Sequence, residues 1–300
     1  MICEFRGASS WVILSAIEKS IKDKIEAVGT PLREWDINIY RGILTGYNEA
    51  FLIDSNKREE ILAACKSEDE RKRTTELIRP ILRGRDIRRY GYDWANLWLI
   101  YVPWHFPLHK DPSIQGASQK AEDAFKKSYP TIYQHLYQYK EDLSARNQAE
   151  TGIRYEWYAM QRWGANYSDD FFKPKIIFQE IVQEGQFFID SETHFMCNDT
   201  CRIIVGKDIN FLVGIMNSKL FFYAVQTFYG GGGLGEHAVR MKHTFFNQFP
   251  CVGVDERVLS LVEKRMINEN EEVEKEIDQR IYELYHLTPE EINYIENRED

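Results

Sequence analysis

Nowhere does this sequence approach the roughly 18 consecutive apolar residues of a membrane-spanning helix, and its start, Met1-Ile2-Cys3-Glu4-Phe5-Arg6, lacks the apolar block of a secretory leader. Neither a membrane-embedded nor an exported protein is expected, which leaves the cytoplasm. Cysteine is sparse: Cys3, Cys65, Cys197, Cys201 and Cys251 are an odd number scattered over a long chain, unlike the dense framework of a disulfide scaffold. His194, Cys197 and Cys201 lie near one another, yet a structural zinc site needs four ligands and no second ligand pair follows at a suitable interval. No metal is expected, and these cysteines read as small apolar residues. Internal repeats and low-complexity stretches are also missing.

Other absences bear on catalysis. None of the nine prolines adjoins another, which removes the Asn-Pro-Pro-Tyr-like turn by which an amino-methyltransferase grips its base. The glycine run Tyr229-Gly230-Gly231-Gly232-Gly233-Leu234-Gly235 is followed by no Lys-Ser or Lys-Thr pair and comes after an apolar helical pattern, so it is not a nucleotide loop. Acidic residues followed by lysine, as in Glu272-Val273-Glu274-Lys275, resemble part of a magnesium-nuclease set, but they fall on a charged helix and read as a solvated face. The chain alone is not expected to catalyse a reaction, and no cofactor is expected within it.

What is present is enough apolar material, 43% of 300 residues, to bury the core of one large domain or two smaller ones. The net charge of −9 speaks against a nucleic-acid partner until its distribution is considered. Residues 255–300 hold 15 acidic and 6 basic side chains, the whole excess, and the preceding 254 are near neutral. Within them Arg71, Lys72, Arg73, Arg79, Arg83, Arg85, Arg88 and Arg89 face only Glu76 and Asp86.

Hydrophobic periodicity predicts an amphipathic helix from Trp11 to Val28, stopped by Gly29-Thr30-Pro31. A strand over Asp36–Leu44 enters a turn flanked by Gly42 and Gly46, and helical patterns run from about Lys57 to Ile78, ended by Pro80. Leu97–Val102 and Lys175–Phe178 are continuous apolar runs of strand length, expected to be buried on both faces. Helices are predicted between Ser118 and Leu143, with a boundary at Pro130, and strands at Gln186–Ile189 and Arg202–Val205. Asp208 and Ser218 are placed to cap two further helices, and Thr288-Pro289-Glu290-Glu291 opens a last one. The fold class expected is mixed α/β: a mixed sheet with flanking helices and a helical C-terminal extension.

Arginine pairs well with phosphate and binds guanine O6 and N7 bidentately, so the stretch Arg79 to Tyr90, with Gly84 among its arginines, fits a DNA-facing loop. By charge alone a salt-bridged surface fits as well. Arg240, Lys242 and His243 form a second basic element just past the glycines, and four glycines leave the backbone free to approach another surface or to act as a plain linker.

Read in order, several blocks resemble one family. They are Tyr40-Arg41-Gly42-Ile43-Leu44-Thr45-Gly46-Tyr47-Asn48-Glu49-Ala50-Phe51-Leu52-Ile53-Asp54, Ile81-Leu82-Arg83-Gly84-Arg85-Asp86-Ile87, Lys173-Pro174-Lys175-Ile176-Ile177-Phe178-Gln179-Glu180-Ile181, Asn198-Asp199-Thr200-Cys201, Met216-Asn217-Ser218-Lys219-Leu220 and the span Phe245–Pro250. Their succession is similar to the TaqI-like C-terminal specificity domain of adenine-specific DNA methyltransferases and type IIG restriction-modification enzymes. The resemblance implies a target-recognition domain that holds double-stranded DNA against an N-terminal methyltransferase domain of the same parent protein. S-adenosylmethionine and methyl transfer would belong to that catalytic domain, which is absent from this chain. The expected organisation is a connector helix over 1–34, the recognition domain over 35–250 and an acidic helical extension over 251–300.

Charge and loop position then nominate Thr45 and Asn48 in the first turn, Arg83, Arg85 and Arg88 in the basic loop, and Arg240 and Lys242 past the glycines as DNA contacts. Gly230, Gly231, Gly232 and Gly233 are nominated as a DNA-facing segment. The aromatic stretch Tyr155–Trp163 is read as core before base stacking. Two other readings stay open: a protein-interaction module docking through its terminal helices, and a trans-acting specificity subunit of a type I restriction system, which ordinarily shows two repeated halves where one is visible here.

Overall fold

A computed structural model describes residues 14–230, 233–234 and 238–297. Eight strands carry the architecture: β1 (Ile37–Arg41), β2 (Leu52–Asp54), β3 (Ile78–Leu82), β4 (Leu97–Ile100), β5 (Lys175–Gln179), β6 (Phe187–Asp190), β7 (Met196–Cys197) and β8 (Cys201–Gly206). They form two four-stranded sheets. The first, in order β6-β5-β8-β1, is antiparallel throughout. The second, β7-β3-β4-β2, is mixed, because β7 runs parallel to β3 while β4 is antiparallel to both its neighbours. With helices over a large share of the chain this is the mixed α/β fold expected from the sequence.

The apolar run of β5 explains why the first sheet is central. Side chains alternate across a strand, so Ile176 and Phe178 enter one hydrophobic cluster and Ile177 the other. One cluster lies against helices near the C-terminus, the other against the second sheet and its helices. A fully buried phenylalanine or isoleucine contributes about 1.5–3 kcal/mol, so both faces of this sheet are strongly held.

Over the first cluster pack α1 (Ala16–Val28), then α2 (Ile209–Asn217), α3 (Lys219–Ala224), α4 (Glu256–Ile267), α5 (Glu271–Leu284) and α6 (Pro289–Glu296). The first described helix meets the last two there. Ile21 and Ile25 of α1 share a cluster with Ile281 and Tyr285, and Lys24 Nζ lies 2.7 Å from Glu291 Oε2. Ser15 and Glu18 make a capping box at the start of α1, so the helix begins later than the periodicity suggested, and Trp11 lies outside the described residues. Acidic residues of the tail are partly spent internally: Asp255 pairs with Arg280, and Glu274 with Arg265 and Arg89.

Two local expectations need correction. Pro80 does not follow a helix directly but lies within β3, opposite Trp98. It is tolerated there because β4 pairs with Ile78–Pro80 and β7 only with Ile81 and Leu82, so the missing amide falls where one pairing gives way to the other. Asp208 makes no side-chain cap; it adopts φ 56° before α2, whereas Ser218 and Thr288 do accept from first-turn amides. Cys197 and Cys201 are wholly buried in the second cluster. Among the described residues no helix is long and apolar enough to cross a membrane.

Candidate nucleic-acid interface

The site begins where β1 ends. Gly42 donates its amide to the Cys201 carbonyl at 3.1 Å, and its Cα presses so closely on Asn198 that a Cβ would lie 1.8 Å from that residue's carbonyl oxygen. Only glycine fits here. Leu44 and Arg162 then exchange two backbone hydrogen bonds, of 3.0 and 2.9 Å, and the Thr45 hydroxyl donates to Asn48 Oδ1 at 2.6 Å. Thr45 is buried and Asn48 exposed, so of the two first-turn candidates Asn48 presents its side chain outward and Thr45 holds it.

The basic stretch is less of a loop than its composition suggested. Ile78–Leu82 is strand, Gly84–Asp86 a single 3-10 turn and Ile87–Arg88 strand again. Asp86 is buried and gathers the turn. It accepts from the Arg83 amide at 2.8 Å and from the Arg83 guanidinium at 3.0 and 2.8 Å, and the guanidinium hydrogen bonds raise the Arg83 pKa. Arg88 pairs with Asp93 at 2.8 Å, and Arg89 reaches Glu274 and the Asn217 carbonyl. Among these arginines Arg85 is exposed and has no carboxylate partner among the described residues.

This turn is fixed to β5. The Gly84 amide donates to Thr200 Oγ1 at 2.9 Å, and a Cβ on Gly84 would lie 2.9 Å from Gln179 Cγ. The second basic element arrives at the same place: in the short strand Ala238–Arg240, Arg240 pairs with Ile181, and Met241 donates to the Glu180 carbonyl at 2.7 Å. The elements bearing Arg85 and Arg240 therefore flank one segment, Gln179–Ile181. Arg240 is exposed and Lys242 half-buried. Of the nominated glycines, Gly230 follows the helical turns after α3 and Gly233 pairs with Val239, while Gly231 and Gly232 lie outside the described residues.

Three arginines not nominated from sequence gather at the end of β1. Arg41 and Arg202 are direct cross-strand partners, and like charges in that position destabilise a sheet by up to about 1 kcal/mol. Arg202 is 3% exposed and contacts Glu180 at 2.6 Å through Nη2 alone; its Nε and Nη1 find no partner. Arg162 reaches Gly42 O only at 3.5 Å, and its Nε is also unpartnered. Burial raises the pKa of the Tyr167 hydroxyl, and Arg162, Arg41 and Arg202 all pull it back. His243 is held below its ordinary range by burial and then by Arg202, Arg41 and Lys242. Nothing in the sequence marks Arg41 and Arg202 as neighbours except that each adjoins an apolar strand run.

The aromatic stretch divides. Tyr155, Trp157 and Tyr158 are core, whereas Trp163 lines, with Trp104, Gln161, Arg162 and Tyr167, an open cleft of about 400 Å³.

Among curated proteins, none matches the chain. In solved structures, the type IIL restriction-modification enzyme MmeI in complex with DNA superposes with a TM-score of 0.57 at 12% identity, covering 89% of this chain and 35% of that one. The type IIG restriction endonuclease BpuSI gives 0.49 at 12% identity, covering 92% and 33%. The chain thus spans about a third of either enzyme. The profile of the TaqI-like C-terminal specificity domain matches residues 79–250, more than half of the sequence, and the chain belongs to that family.

Proposed function

We propose that this chain recognises a short sequence in double-stranded DNA as the specificity part of a restriction-modification enzyme of the type IIG kind. Adenine methylation from S-adenosylmethionine would be carried out by an N-terminal catalytic domain of the parent protein. In this reading residues 35–250 contact DNA, residues 1–34 connect, and the acidic helices of 251–300 pack away from phosphate, since like charge repels.

One observation supports it above the others. The Arg85 turn and the Arg240 strand meet at Gln179–Ile181, beside the Gly42 turn, and Arg41, Arg85 and Arg240 are exposed without a carboxylate partner among the described residues. Guanidinium groups left free of internal carboxylates are available to phosphates and guanine edges. Asn48 adds an amide suited to adenine. Phosphate contacts fix the register of such a domain on the duplex, and base-edge contacts supply specificity.

The reading is tested by fluorescence anisotropy with mixed-sequence duplexes at low and moderate salt. Binding that weakens steeply with salt is expected, because each neutralised phosphate adds roughly 0.9 to the slope of log affinity against log salt. Binding that is missing, or indifferent to salt, would refute it and return the protein-interaction reading.

A further inference from the structure

We propose that Arg41, Arg162 and Arg202 form the seat of one DNA backbone phosphate at the Gly42 turn. The inference rests on the DNA-recognition reading and adds to it a specific subsite made of residues outside the Arg83–Arg88 stretch.

Positive charge at this turn is largely uncompensated among the described residues. Register sets Arg41 directly opposite Arg202, and Arg162 reaches toward the carbonyl of Gly42, the residue after Arg41. Against three guanidinium groups the described residues supply one ion-paired carboxylate, Glu180, which is spent on Nη2 of Arg202. Arg41 and Arg162 have no carboxylate partner among the described residues. A protein that merely needed to close this sheet edge would not place two cations across from each other and leave buried guanidinium nitrogens without acceptors. An anion that accepts from several donors at once resolves both features, and phosphate is the anion DNA supplies at regular intervals.

The geometry separates the roles of the three. Arg41 is exposed and meets the phosphate directly; Arg162 is half-buried behind the turn; Arg202, almost wholly buried, acts from beneath as a fixed positive charge in a poorly screened place. The subsite is therefore a positioning contact. It holds the backbone beside the turn that carries Asn48 and carries no sequence information itself.

Arg41 is the residue to alter, because it is exposed and its loss spares the core. In the 300-residue chain, millimolar inorganic phosphate at constant ionic strength is expected to raise the melting temperature, and Arg41→Gln to abolish that rise while keeping the circular dichroism spectrum. In duplex binding Arg41→Gln is expected to lower the salt slope by about one and to weaken specific and mixed-sequence duplexes by the same factor. The same phosphate-dependent rise in both proteins would overturn the subsite. A rise lost in Arg41→Gln with duplex binding untouched would overturn its assignment to DNA. Should the unaltered chain bind no duplex, the recognition reading and the DNA assignment fall together, and the melting experiment still decides whether the three arginines hold an anion.

Discussion

Lys175 and Asp190 stand directly opposite each other on β5 and β6 and form an ion pair, Nζ to Oδ2 2.7 Å, with both side chains almost wholly buried. Burial presses the lysine pKa down, and the carboxylate and the Phe171 carbonyl keep it satisfied. Asp190 does more, accepting from the amides of Thr193, His194 and Phe195 and so fixing the turn that leads to β7. Removing one partner of a buried pair strands the other and costs about 3–5 kcal/mol. Asp190→Ala is therefore expected to destabilise by that amount and to cost more than Lys175→Met, which leaves the three amides bonded. Urea denaturation of both variants decides it; equal losses would mean that the amides find other partners.

Arg146 is a buried guanidinium that uses carbonyls in place of a carboxylate. Its Nε donates to Leu143 at 3.0 Å, Nη2 to Trp157 and Ala159 at 2.7 and 2.8 Å, and Nη1 to Thr45, so one side chain ties its own helix end and the Trp157–Ala159 segment to the turn bearing Asn48. Burial brings its pKa down to about 10. Lysine has no planar fork to reach those carbonyls together. Arg146→Lys is expected to lose about 3 kcal/mol of stability, the cost of leaving two or so buried acceptors unpaired. It is also expected to weaken duplex binding of the folded protein. Anisotropy at a temperature where the variant is fully folded checks the second effect, and unchanged affinity would separate the Thr45–Asn48 turn from recognition.

The parts of this fold legible in the sequence are those set by near neighbours. The apolar run of β5, the Ser218 cap and the Thr288 box depend on residues within a few positions, and each is where periodicity and capping chemistry put it. The turn around Gly42 was visible from its glycines, but the tight approach of Asn198 that makes Gly42 indispensable was not. Pairing between distant segments was the least legible. Arg41 and Arg202 lie far apart in the chain, and only the register between β1 and β8 makes them one feature. Charge counting along the basic stretch leaves a DNA-facing loop and a salt-bridged surface equally open, and for Arg83 only the fold decides: Asp86 sits three residues after it, and the 3-10 turn converts that spacing into a bidentate pair.

That pair separates the arginines of the basic stretch in the effect expected of each on DNA binding. Arg85→Ala removes an exposed cation with no internal partner and is expected to lower the salt slope by about one. Arg83→Ala removes a cation already committed to a buried carboxylate, so its effect falls on stability, about 1–3 kcal/mol, and little on the slope. Arg88, paired with Asp93 at the surface, falls between them. Salt titrations of the three variants rank them. A slope lost with Arg83 rather than Arg85 would mean that Asp86 releases its partner to the duplex.

Asp278 lies on α5, 4% exposed, and its Oδ1 accepts from the Lys219 amide at 2.9 Å, joining α5 to the start of α3. Burial pushes its carboxyl up to about 6 from the ordinary 3.8, with the Lys219 amide, Arg89 and Lys219 opposing. A carboxyl whose pKa is higher folded than unfolded binds its proton preferentially in the folded chain. Its contribution is complete below the unfolded pKa and is lost as pH rises through the folded one. Two units correspond to about 3 kcal/mol. Asparagine keeps the acceptor without the charge, so Asp278→Asn is expected to be more stable than the parent above pH 7, by up to about 3 kcal/mol, with the difference closing below pH 4. Urea midpoints of the two proteins across that range provide the measurement. Curves that stay parallel would mean that Asp278 is ionised in the folded chain and that Arg89 and Lys219 outweigh its burial.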